Sequence, residues 1–243
     1  MSRFISLCTV GLAFALTSVL GWASPSQAQF SSTTSSTSST STSTTTTTTI
    51  PPSGELCADA DDPCVVSQPV LLFDGTTVDL GTRTLIVQGQ GSIDVGVGNV
   101  TIEAGDVIVT TGSAVALKAT ASGQAGQLTI HARGSCLSNG TSCLDNNDCP
   151  SRQCQTSSGA IDLDGRINAQ SGGYPGTIVV RAASDVLLKG HIHMPGTSSG
   201  ADGGRLIVSS GKGSVDPSGS IDVSGGNDTS GGEILISAAQ DVQ

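Results

Sequence analysis

Aromatic and basic residues are both scarce in this chain of 243 residues. Aromatic side chains make up 2% of it, and 10 Lys and Arg stand against 20 Asp and Glu, for a formal net charge of −10. Having so few bases, and no basic stripe, argues against nucleic acid as a partner. Apolar residues do not recur with a helical period over any useful length. We therefore expect little helix and a core built from aliphatic side chains.

The chain does contain a glycine that returns every 28 residues at the start of an alternating aliphatic segment. Gly98 opens Gly-Asn-Val-Thr-Ile-Glu-Ala and Gly126 opens Gly-Gln-Leu-Thr-Ile-His-Ala, and the pattern returns at Gly176, Gly204 and Gly232. The wider gap from Gly126 to Gly176 equals one period plus a 22-residue insertion. A fixed period of this length indicates a solenoid.

Each repeat reads as two or three short strands. The third and fifth positions are always aliphatic and alternate with mostly polar neighbours, which is the period of a strand. A second motif, Gly-x-Ile-x, begins at Gly91, Gly165, Gly190 and Gly219, and turn residues separate the two. Stacked repeats would bury one aliphatic column. We predict an all-β, right-handed parallel β-helix of about 28 residues per coil over residues 71–243; a β-sandwich is the alternative, although it needs no constant spacing.

The N-terminal region is typical of an exported protein. Residues 1–28 read as a signal peptide, with Arg3, an apolar stretch from Ile5 to Leu20, and small residues at a cleavage site after Ala28. Residues 29–54 are rich in Ser and Thr and predict a disordered linker. No other segment is apolar enough to span a bilayer. We therefore expect a secreted or cell-surface protein.

Removal of the signal peptide leaves an even number of cysteines, which favours disulfides in an oxidising compartment. The six are Cys57, Cys64, Cys136, Cys143, Cys149 and Cys154. We predict that Cys57 and Cys64 close a loop in residues 55–70, the segment leading into the β-helix. The other four lie in the insertion, at about 135–157, and three pairings stay open. A zinc site is the alternative, but a close Cys-x2-Cys pair and a neighbouring His are both missing.

Two groups of polar residues are candidates for chemistry. Asp162 and Asp164 alternate along one strand and should face the same side, with Arg166 two residues further on. We interpret them as a solvated strand face. His191 and His193 also share one side of a strand, a geometry that can hold a transition metal. No third ligand is evident, because His131 belongs to another strand, so we predict no catalytic residue, metal or cofactor.

The last position of Gly-x-Ile-x is polar throughout, and we interpret this ladder as variation at an exposed position. It reads Asp94, Asn168, His193 and Asp222.

One deviation from the repeat suggests an interface. The fourth position should point outward, yet it becomes apolar at Val179, Ile207 and Leu235. We expect a stripe that meets another chain, a covering loop or a missing C-terminal segment. Gly232 also opens a coil without a visible polar cap, which predicts missing C-terminal coils or end-to-end self-association.

Three segments carry a resemblance to a known group of proteins. Gly98-Asn-Val-Thr-Ile-Glu-Ala-Gly-Asp-Val, Ala160-Ile-Asp-Leu-Asp-Gly-Arg-Ile-Asn-Ala and Arg181-Ala-Ala-Ser-Asp-Val-Leu-Leu-Lys-Gly resemble rungs of filamentous-haemagglutinin-like and autotransporter-passenger β-helices of bacteria. The resemblance implies adhesion or display at a cell surface. We therefore expect a non-catalytic structural or adhesive module whose partner is a carbohydrate or a cell-surface protein. The alternative is a β-helix lyase or hydrolase of polysaccharides.

Overall fold

The computed structural model describes residues 48–49, 56–58, 60–118, 125–155, 158–170 and 173–243. The predicted signal peptide and most of the predicted linker lie outside these ranges. Two residues of that linker, Thr48–Thr49, form strand β1 and pair with Val70 and Leu71.

The described residues form short strands and a 3-10 helix. The first ten strands are β1 (Thr48–Thr49), β2 (Cys64–Val66), β3 (Pro69–Leu71), β4 (Thr77–Asp79), β5 (Leu85–Val87), β6 (Ser92–Asp94), β7 (Val100–Ala104), β8 (Val107–Val109), β9 (Ala114–Lys118) and β10 (Gln127–Ala132). The rest are β11 (Gly134–Cys136), β12 (Ser142–Cys143), the 3-10 helix (Asn146–Asp148), β13 (Cys154–Gln155), β14 (Ile161–Leu163), β15 (Arg166–Gln170), β16 (Thr177–Ala182), β17 (Val186–Leu188), β18 (His191–His193), β19 (Arg205–Ser210), β20 (Val215–Asp216), β21 (Ser220–Asp222) and β22 (Glu233–Ala238).

Three long parallel sheets run along the molecule. In spatial order, the first sheet is β2-β5-β8-β14-β17-β20, the second is β1-β3-β6-β9-β15-β18-β21, and the third is β4-β7-β10-β16-β19-β22. From β2 onward, each coil adds one strand to the first, second and third sheets in turn. The predicted parallel β-helix is confirmed, with six coils.

Coil length varies more than the glycine repeat predicts. In the third sheet, Val100 is in register with Leu128, and Ile178 with Leu206, each 28 residues on. In the first coil, however, Cys64 is in register with Leu85, only 21 residues on. The first coil is shorter because its strand in the third sheet, β4, is shorter than the later ones. In the last two coils the turn that leads into the third sheet is also longer. The β-helix also begins at Cys64, so the segment predicted to lead into it supplies β2 and β3.

A single aliphatic column fills the interior along the third sheet. Successive coils place Val78, Ile102, Ile130, Val180 and Val208 in register, and each is at most 1% exposed. The small residues at the seventh repeat position stack in the same way: Ala104, Ala132, Ala182, Ser210 and Ala238. Burial of this continuous column is the main stabilising contribution of the fold.

The repeated glycines mark the places where successive coils approach most closely. A Cβ on Gly126 would overlap the carbonyl oxygen of Gly98, and one on Gly176 would overlap that of Gly126. That carbonyl of Gly126 accepts a hydrogen bond from the Thr177 N–H at 3.1 Å. Glycine recurs at this position because a side chain would occupy the space that the preceding coil needs.

One polar side chain interrupts the core in the first coil. Thr76 is 1% exposed, and its hydroxyl has no hydrogen-bond partner among the described residues. Its backbone carbonyl accepts a hydrogen bond from the Thr101 N–H of the next coil at 3.0 Å.

We expect Thr76→Val to raise the free energy of unfolding by about 1 kcal/mol, since it removes an unsatisfied buried hydroxyl and keeps the shape. Urea unfolding measures the change. The control is Ser113→Ala, which should be destabilising by about the same amount, because the Ser113 hydroxyl donates to the Thr110 carbonyl at 2.6 Å. A less stable Thr76→Val variant would contradict this account.

The cysteine-rich insertion folds as a separate small sheet. β11 pairs antiparallel with both β12 and β13. The structure resolves the open pairings as Cys136–Cys149 and Cys143–Cys154, and it also contains the Cys57–Cys64 disulfide. The four insertion cysteines pack on buried Ala183. Two crosslinks supply most of the order here, because this insertion has little core of its own.

Candidate functional site

The outer surface of the second sheet carries two rows of polar side chains. In β15, β18 and β21 the aliphatic residues Ile167, Ile192 and Ile221 are in register and point inward. Their neighbours alternate and therefore point outward. Register stacks these neighbours into the rows Arg166–His191–Ser220 and Asn168–His193–Asp222. We call these six residues the polar face.

His193 and Asp222 are in contact across neighbouring coils. The distance from His193 Nδ1 to Asp222 Oδ2 is 3.1 Å. The other oxygen of Asp222 accepts a hydrogen bond from the Ser224 backbone N–H at 3.0 Å. The Ser224 hydrogen bond, with a smaller contribution from His193, holds the pKa of Asp222 below its usual value. Asp222 is therefore a carboxylate at neutral pH.

A groove extends from the polar face toward the preceding coil. The polar face lines a cleft of about 340 Å³. Arg166, Asn168 and His191 also line an adjoining cleft of about 580 Å³, together with Thr111 and Asp164. Thr111 Oγ1 donates to Asp164 at 2.6 Å. Within the described ranges, the exposed guanidinium of Arg166 forms no hydrogen bond or ion pair.

The prediction that Asp162 and Asp164 lie on one strand and face the same side is wrong. Asp162 lies in β14 of the first sheet, where Lys189 Nζ is 3.1 Å from its carboxylate. Asp164 follows the strand, and Arg166 belongs to the second sheet. The chain turns at Gly165, where a Cβ would lie 2.7 Å from the Ser113 carbonyl oxygen. The two carboxylates consequently line different clefts.

The third histidine lies on another surface. His131 belongs to β10 of the third sheet, with its Nδ1 3.5 Å from Glu103. Burial lowers the pKa of His131 more than the Glu103 carboxylate raises it. His131 is therefore a neutral side chain at pH 7, remote from the polar face.

Val179, Ile207 and Leu235 stack in register on the third sheet, but their exposure is uneven. Val179 is 7% exposed and Leu235 is 42% exposed. Ile207 is half-buried and lines a cleft of about 470 Å³ with Leu144 and other residues of the insertion. The insertion thus forms one wall of a cleft beside the middle of this stripe.

The insertion contacts the β-helix through a side-chain hydrogen bond and a close backbone approach. Lys212 Nζ donates to the Cys154 carbonyl. A Cβ on Gly211 would overlap the Leu144 carbonyl oxygen. Cys136, Cys143 and Cys149 place three sulfurs close together, but each is bonded in a disulfide and is not a metal ligand.

No protein-family model, curated protein or solved structure matches this chain. The resemblance to bacterial β-helix adhesins therefore stays a prediction. The part of the chain that the structure describes contains no helix with the length and apolar character needed to cross a membrane.

Sequence reasoning treated the ladder ending in Asp222 as surface variation and missed the contact between His193 and Asp222. The two residues are 29 positions apart. The signal was present in the repeated Gly-x-Ile-x motif, because equivalent positions of a solenoid repeat become spatial neighbours.

Proposed function

We propose that this chain is an exported structural or adhesive β-helix module that binds a cell-surface glycan along the polar face without turnover. One observation carries the proposal: the polar face presents hydrogen-bonding side chains on three successive strands, about 4.8 Å apart, above a buried aliphatic core. Such a surface is rigid before binding, which lowers the entropy lost when a ligand is held. A glycan offers hydroxyl groups along its length that this array can pair.

The arrangement of carboxylates favours binding over hydrolysis. A glycosidase of the common type places two carboxyl groups on either side of the scissile bond. In the groove, the carboxylates are Asp164, which follows β14, and Asp222, which lies two coils further on. The hydrogen bond from the Ser224 N–H keeps the pKa of Asp222 below its usual value, so Asp222 is not suited to be the general acid. This supports a non-catalytic module.

Arg166 favours a second candidate, a polysaccharide lyase. Its guanidinium is exposed in the groove without a partner among the described residues. A fixed positive charge beside a substrate carboxylate would stabilise the negative charge that develops in the transition state of β-elimination. In this alternative, the glycan that binds along the polar face is cleaved and is therefore a substrate.

A glycan array combined with a lyase and hydrolase screen tests both functions. We expect saturable binding without product formation, and at least about tenfold weaker binding for Arg166→Ala, which removes a charged hydrogen-bond donor. The matched control is Arg181→Ala, an exposed arginine on the third sheet, which should bind like the parent. If the parent protein cleaved a polysaccharide and Arg166→Ala did not, the chain would be a polysaccharide lyase instead. Absence of any glycan binding would overturn the proposal.

A further inference from the structure

The polar face carries two imidazoles and one carboxylate on neighbouring strands, of which His193 and Asp222 are in contact. His191 and His193 flank inward-pointing Ile192 and so project outward from the same strand. Asp222 is in register with His193 on the neighbouring strand. A pair of ligands from one strand and a third from the next can surround one small ion, because the strands are only about 4.8 Å apart.

We propose that His191, His193 and Asp222 form a zinc-binding site on the outer face of the second sheet. Imidazole and carboxylate donors suit Zn²⁺, Cu²⁺ and Ni²⁺, whereas Mg²⁺ and Ca²⁺ prefer all-oxygen sites. The site is open to solvent, so water would complete the coordination. This inference does not rest on glycan binding.

Two of the three donors are already in place. His193 Nδ1 and Asp222 Oδ2 are 3.1 Å apart, so one ion between them would replace their direct contact. The Ser224 N–H fixes the other oxygen of Asp222. His191 is exposed and has no side-chain partner among the described residues, so its imidazole can turn toward the ion at little cost.

Arg166 opposes metal binding. It is in register with His191 on the preceding strand, which places a positive charge one strand away from a ligand. The remaining neighbours, Asn168 and Ser220, are neutral. Removing the Arg166 charge should therefore strengthen zinc binding, since repulsion between like charges is lost.

Isothermal titration with ZnCl₂ tests the site in the full chain with its disulfides formed. Every variant carries Cys8→Ser so that no free thiol competes for zinc, and circular dichroism checks the fold. We expect one zinc per chain, with affinity reduced at least about tenfold in His191→Ala, His193→Ala and Asp222→Ala. His131→Ala is the matched control and should bind like the parent. Arg166→Gln should bind more tightly.

A spectroscopic measurement identifies the ligands independently of affinity. Cu²⁺ bound in place of zinc should show coupling to two imidazole nitrogens by electron paramagnetic resonance, and to one in either His191→Ala or His193→Ala. Loss of zinc binding in His131→Ala, or unchanged binding in any of the three ligand variants, would overturn the site. Because titration uses no glycan, these results stand apart from the outcome of the glycan array.

Discussion

Gly126→Ala is expected to lower the free energy of unfolding by about 3 kcal/mol or more. The new Cβ would overlap the carbonyl oxygen of Gly98, which is backbone and cannot rotate away. Relief requires the coils of Gly98 and Gly126 to separate. That would strain the pairing of β7 with β10 and the hydrogen bond from the Gln127 N–H to Asn99 Oδ1 at 3.0 Å. Urea unfolding followed by circular dichroism measures the loss.

Gly231→Ala is the matched control for this substitution. The nearest atom to a Cβ at Gly231 is the Val223 carbonyl oxygen at 3.8 Å, which is an ordinary contact. Neither glycine has a positive φ, so the two substitutions differ in steric fit and not in backbone strain. Equal effects for Gly126→Ala and Gly231→Ala would show that close coil contact is not why the glycine recurs.

Ile130→Ala is expected to cost about 2–5 kcal/mol, because it opens a cavity in the middle of the aliphatic column. Ile130 is 1% exposed and lies in register with Ile102 on one side and Val180 on the other. Both neighbours belong to tightly hydrogen-bonded coils, so collapse around the missing atoms is limited. Thermal and urea unfolding give the change.

Ile236→Ala removes the same atoms from the same column and serves as the control. Ile236 is in register with Val208 in the last coil but is only partly buried. We expect a clearly smaller loss, since fewer contacts disappear and water already reaches the site. If the two variants lost equal stability, the column would not be the dominant element of the core.

The sequence predicts the strands well because the alternation of apolar and polar residues along a strand is a local pattern. Alternating aliphatic residues such as Val100 and Ile102 must face one side of a strand, whichever fold contains them. The glycine period adds the stacking, because equivalent positions of a repeat become neighbours. The same reasoning predicts poorly where the chain turns. It placed Asp162 and Asp164 on one side of a single strand, whereas β14 ends at Leu163 and Asp164 lies in the turn before β15.

The candidate site shows the limit of local reasoning more clearly. A His-x-His pair is visible in the sequence, but the sequence does not show that the carboxylate of Asp222 lies beside it. Asp222 reaches His193 only because β18 and β21 belong to successive coils with matched register. The sequence also left the four insertion cysteines with three pairings, and only their positions around Ala183 resolve them.

The sequence by itself determined that this protein is a parallel β solenoid, where its aliphatic column runs and which cysteines form the insertion. These features follow from periodicity and composition, which act between near neighbours or equivalent positions. The tertiary structure decided the length of each coil, the disulfide pairs, the cleft between Ile207 and the insertion, and the contact between His193 and Asp222. Each depends on how turns of unequal length set one coil on the next, and turn length leaves no periodic signal in a single sequence.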